Sequence, residues 1–181
     1  MPDGEHKLMS DVFVEWTFEP ALSEHDVRRL THDGPGCRDL YNVRIQESLL
    51  DDAGRRLICH FRAPDAESVR MALRCVGANI DIVWSANIHH KPNPATGNVV
   101  VEGKLNRSVL TDSDEAIDAI STKWFDKYGF KLVRAIISRD GTRMICLYDA
   151  PDAESISLAQ NQSESPTTSV WSYRRIAGDV H

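Results

Sequence analysis

The chain has 181 residues, 41% hydrophobic and 27% charged, with a net charge of −6. Its basic residues cluster only in pairs such as Arg28-Arg29, Arg55-Arg56 and Arg174-Arg175, too sparse for a phosphate backbone, so nucleic acid is excluded as an expected partner. No apolar run approaches the ~18 residues of a membrane span, and residues 1–11 lack the apolar core of a secretory signal, so no membrane partner and a cytoplasmic location are expected.

Residues 12–18 are rich in β-branched and aromatic side chains and stop before Pro20, which predicts a strand. On it Val12, Val14 and Trp16 share one face, and Phe13, Glu15 and Thr17 share the other. Ser23, with Asp26 three residues on, marks a helix start whose buried stripe would be Val27, Leu30, Cys37 and Leu40. The run His32-Asp33-Gly34-Pro35-Gly36-Cys37 must break or bend that helix, because an interior Pro costs ~3 kcal/mol and Gly adds to it. Residues 43–49 then alternate Val43, Ile45, Glu47 and Leu49 against Arg44, Gln46 and Ser48, a second strand. The turn Asp51-Asp52-Ala53-Gly54 joins it to a third strand over 56–62. Asp65 opens another helix, with Val69, Ala72, Leu73 and Val76 on one side, and a strand over 80–89 closes the set. This order is the ferredoxin-like split βαββαβ unit.

The chain is then written a second time. A shift of 87 positions carries Ala63-Pro64-Asp65-Ala66-Glu67-Ser68 onto Ala150-Pro151-Asp152-Ala153-Glu154-Ser155, and Val83-Trp84-Ser85 onto Val170-Trp171-Ser172. Strands are expected over 98–105, 130–138, 143–150 and 169–176, and helices over 113–128 and 152–163. The expected organisation is repeat one over 11–91, a Pro/Gly connector over 92–97 and repeat two over 98–177. Each unit has helices on one sheet face only, so the other face needs a cover, and the second copy is the obvious one. The fold class is therefore α+β: two tandem ferredoxin-like βαββαβ repeats forming an intramolecular pseudo-dimeric α+β barrel.

The runs Leu57-Ile58-Cys59-His60-Phe61-Arg62-Ala63-Pro64-Asp65-Ala66-Glu67-Ser68-Val69 and Met144-Ile145-Cys146-Leu147-Tyr148-Asp149-Ala150-Pro151-Asp152-Ala153-Glu154-Ser155-Ile156 resemble the signature of the domain family of unknown function numbered 4242. The opening strands, with Glu15 and Glu102 after alternating aliphatics, are similar to that family's first strand. The resemblance implies a dimeric α+β barrel and a nickel-like divalent metal. Family members often carry a His soon after the Pro-Asp-Ala-Glu run, where this chain has Met71 and Leu158.

Function is sought where the two copies differ. Five of the seven histidines (His25, His32, His60, His89 and His90) lie in copy one, opposite Asp112, Ala119, Leu147, Ile176 and Ala177. Histidine suits both proton transfer near neutral pH and metal ligation. His60 stands inside an apolar strand. Glu15 and Glu102 sit mid-strand, on the face expected between the halves. Cys37 matches Trp124, so side-chain volume is missing beside the broken helix and a pocket is expected there. The candidate catalytic residues are His60, His32, Glu15 and Glu102. The candidate ligand-binding residues are Phe13, Cys37, Trp84 and Cys59, and the candidate metal ligands are His60 and Glu15. Cys59 and Cys146, matched inside apolar strands, also read as small buried hydrophobes.

The leading expectation is a barrel that binds a small molecule or a divalent metal, with no organic cofactor and one site built mainly by copy one. The alternatives are a cofactor-independent enzyme of isomerase, lyase or monooxygenase type, and a structural or partner-binding module. Pairing into a homodimer is left open.

Overall fold

Alternation of apolar and polar side chains builds the sheets of this protein. The computed structural model describes residues 8–32, 35–90, 97–105, 128–161 and 167–178. Among them it is an α+β fold that divides into two units, the first reaching Ala86 and including residues 175–178, the second running from Asn87 to Arg174. No described helix is long and apolar enough to cross a membrane.

The first unit runs β1 (Ser10–Thr17), α1 (Glu24–His32), α2 (Pro35–Leu40), β2 (Arg44–Asp51), β3 (Arg56–Ala63), α3 (Ala66–Cys75) and the start of β4 (Ile82–His90). The strands pair antiparallel in the order β2-β3-β1-β4. Val12, Val14 and Trp16 face the helices, packing with Val27 of α1 and Val69, Ala72 and Leu73 of α3. Ser23 caps α1 reciprocally: its Oγ accepts from Asp26 N at 3.2 Å, and its own N donates to Asp26 Oδ2 at 2.8 Å. Asp65 caps α3 by accepting from Ser68 N at 2.8 Å.

Three sequence expectations change in this unit. The helix does break near Pro35, and Leu40 is 72% exposed instead of closing the buried stripe. Val76, placed on the buried side of α3, is the C-cap residue and is exposed. The alternation along β2 also changes phase. A β-bulge falls between Ile45 and Glu47, so Ile45 pairs Phe61 in the helix-side core while Glu47 pairs His60. The extra residue turns Glu47 to the face opposite Ile45, although two residues separate them.

The second unit contains β5 (Val99–Lys104), β6 (Lys131–Ser138), β7 (Arg143–Asp149), α4 (Ala153–Asn161) and most of β8 (Thr167–Ala177). Its strands pair β6-β7-β5-β8 around a core of Val99, Val101, Ala135, Ile137, Cys146, Tyr148 and Ile156. Its registers are those of the first unit with 87 added to both partners: Val12↔Phe61 becomes Val99↔Tyr148, and Glu47↔His60 becomes Arg134↔Leu147. The bulge recurs too, between Leu132 and Arg134. All of the helix expected over 113–128 except Tyr128, Trp124 included, and nearly all of the 92–97 connector lie outside the described residues.

Candidate functional site

One row of side chains crosses the first sheet on the face away from its helices: Glu47 on β2, His60 on β3, Phe13 on β1 and Trp84 on β4, each directly opposite the next. All four are buried. The Phe13 ring stacks on the His60 imidazole at 4.6 Å between centroids and 6° between planes, and on the Trp84 indole at 5.2 Å and 27°. Such flat contacts fix ring orientation as well as burying area.

Carboxylates flank the row. His60 Nε2 is 2.7 Å from Asp11 Oδ1, and Nδ1 is 4.0 Å from Glu47 Oε1. The first distance is a hydrogen bond, whereas the second is an electrostatic approach. Each acid is met by an arginine: Arg62 donates to Asp11 Oδ2 at 3.0 Å, and Arg175 Nε lies 2.6 Å from Glu47 Oε2. His60 is only 8% exposed and Glu47 3%. The centre is thus an imidazole between two carboxylates, each neutralised from its outer side, which is the arrangement a buried charge requires.

The sequence-based candidates divide accordingly. His60, Phe13 and Trp84 come together in the row. Glu15 is adjacent, two residues along β1 from Phe13, and its Oε1 accepts the Trp84 indole N–H at 2.7 Å. Glu102 lies on β5 of the second unit, paired with Ile145. His32 ends α1, and its side chain lies outside the described ones.

Cys59 is on the opposite face of β3 from His60. It sits in the helix-side core with Ser48 Oγ 3.0 Å from its Sγ, and burial pushes its thiol up from 9.0 to about 12, the serine contact opposing weakly. Cys37 was expected to line a pocket; it is instead joined to Cys75 by a disulfide. Sequence reasoning paired no cysteines, because the two partners lie on different helices and 38 residues apart.

Two residues of the centre were missed. Asp11 falls at the end of the stretch 1–11, which carries no strand expectation, although it continues the Phe13–Glu15 face by alternation. Glu47 was placed in phase with Val43 and Ile45. The available signal was that phase itself, a Glu among aliphatics, matched 87 residues on by Arg134.

Of the two expected metal ligands, His60 has its Nε2 2.7 Å from Asp11 Oδ1, and Glu15 Oε1 accepts from the Trp84 indole. Among the described residues, no group of three or more His, Cys, Asp and Glu side chains is arranged to hold a metal ion.

No family model matches the chain, and no curated protein matches it. Solved structures do. A mutant chlorite dismutase from Candidatus Nitrospira defluvii aligns with a TM-score of 0.46 at 11% identity, over 91% of this chain and 90% of that one. A provisionally named chlorite dismutase gives 0.46 at 15% identity over 93% and 94%. A provisionally named monooxygenase from Lactobacillus acidophilus NCFM gives 0.39 at 10% identity over 92% and 94%. Likenesses this distant carry no inference about activity.

Proposed function

We propose that the protein binds a small organic molecule against the helix-free face of the first sheet and transfers protons on it, with no organic cofactor. The observation that carries this reading is the buried imidazole of His60 held between Asp11 and Glu47. Asp11 accepts from Nε2 and so orients the ring and fixes its tautomer. When the imidazole takes a proton from an acidic position of the ligand, the positive charge forms next to two carboxylates and is offset by them. Returning the proton at a neighbouring atom completes an isomerisation. A positioned base of this kind contributes roughly 10²–10⁴-fold to rate. Phe13 and Trp84 supply flat apolar surface beside the ring, and Glu15 holds the indole in place.

The same proposal takes the two units as copies of one ferredoxin-like unit arranged as a barrel, and keeps the likeness to the family numbered 4242. Its test is solvent exchange. A panel of small carbonyl compounds with acidic C–H positions is incubated with the protein in D2O and followed by proton NMR. Wild-type protein should wash deuterium into at least one of them, Asp11→Asn should do so more slowly, and His60→Gln should not. Exchange by His60→Gln at the wild-type rate, or no exchange and no binding across the panel, sinks the reading. Elemental analysis of untagged protein separates it from ion binding, because stoichiometric nickel or zinc would assign the centre to a metal.

A further inference from the structure

The Cys37–Cys75 bridge plays no part in the His60 row. It ties α2 to α3 across a Cα–Cα distance of 5.9 Å. The matching positions 87 residues on are Trp124 and Gln162, so the sequence provides this bridge only in the first unit. Cys75 is exposed and Cys37 half-buried, whereas the two free thiols, Cys59 and Cys146, are buried. A soluble dithiol can therefore reach the bridge and cannot reach the free pair.

α2 places none of its described side chains in the apolar core. It has six residues, far below the ~12–15 at which an isolated helix becomes even marginal in water. None of its described side chains is fully buried: Cys37 and Arg38 are half-buried, and Gly36, Asp39 and Leu40 are exposed. Its C-terminal backbone bonds, Asn42 N to Asp39 O and Val43 N to Arg38 O, bind it to the chain that follows and not to α3.

We infer that Cys37 and Cys75 form a redox-operated latch, whose reduction releases α2 from α3 while leaving the first sheet folded. A thiolate of an external dithiol attacks one sulfur of the bridge, breaking the S–S bond and forming a mixed disulfide. The second thiol of the reagent then closes on that intermediate. The dithiol leaves oxidised to its own disulfide, and two electrons and two protons end on Cys37 and Cys75 as thiols. In a reducing compartment α2 is released; in an oxidising one it is held. The core beneath is independent of this exchange, because Val12, Val14, Val69 and Ala72 pack without either cysteine.

Hydrogen exchange by mass spectrometry on the full chain tests the latch, with dithiothreitol as the reductant at neutral pH and no denaturant. Maleimide labelling should count two accessible thiols after reduction and none before. Exchange at residues 36–40 should then rise at least tenfold, with β1 and β3 still protected. The double variant Cys37→Ser/Cys75→Ser should exchange quickly at residues 36–40 without reductant and not respond to it. The single variant Cys75→Ser should do the same, which guards against a folding defect peculiar to the double change. Unchanged exchange at 36–40 after full reduction overturns the latch. So does loss of protection throughout β1 and β3, which would make the bridge a structural staple, and so does resistance to millimolar dithiothreitol.

Discussion

Glu47 and Arg175 show how burial makes an ion pair one-sided. The carboxylate is enclosed, while the arginine side chain is 48% exposed. Removing the arginine leaves a negative charge in a dry setting, whereas neutralising the acid leaves a guanidinium that can turn to water. Arg175→Leu should therefore cost about 1–3 kcal/mol of stability, within the range for stranding a buried polar group. Glu47→Gln should cost less than half as much. Urea melts of the two variants check the order, and equal losses would mean that the pair is effectively solvated. At this scale the sequence was half legible. His60 stood out because Leu147 occupies its matched position, and Phe13 and Glu15 followed from alternation. Glu47 did not, because its orientation depends on a backbone irregularity that alternation cannot express.

The bulge in β2 is the element that delivers Glu47, and Gly178 secures it. Gly178 N donates to Gln46 O at 2.9 Å, and a Cβ at Gly178 would lie 2.4 Å from Ile45 O and 2.7 Å from Gln46 O. Only a residue without a side chain lets the two backbones approach so closely. Gly178→Ala should force β2 away at the bulge, costing about 1–3 kcal/mol as overpacking does. It should also shift the His60 ring resonances in NMR spectra. A stability loss with unchanged His60 resonances would show that the bulge holds its shape without this contact. Helix starts were easier to read, since Ser23 and Asp65 announce themselves by the acid or serine three residues on. Asp65→Ala should lower stability by about 1 kcal/mol, the usual worth of a cap, as read from the thermal midpoint. The fate of α2 was not readable, because Pro35 marks a break without saying where the chain turns afterwards.

Across the whole molecule, both units bury one free thiol, Cys59 and Cys146, and burial pushes each from 9.0 up to about 12. In the unfolded chain these thiols ionise near 9, whereas in the folded chain they stay protonated. Their contribution to stability is thus complete below pH 9 and is lost as pH rises from there through 12. The thermal midpoint should fall over that window, and the fall should be shallower in a Cys59→Ala/Cys146→Ala variant when each is referenced to its own value at pH 8. Parallel falls would show that other groups govern the alkaline limb. The 87-residue offset was the most legible property of the chain, and the ladders follow it pair for pair, bulges included. The recurring bulge has a practical consequence. The second unit offers the same mounting points with different fittings: Arg134 stands where Glu47 does, Leu147 where His60 does, and Asn98 where Asp11 does. The geometry that aims these side chains is therefore held in the backbone, apart from the side chains themselves. A protein engineer could write a second centre by exchanging side chains alone, beginning with Leu147→His and Arg134→Glu, on a frame already bent to receive them.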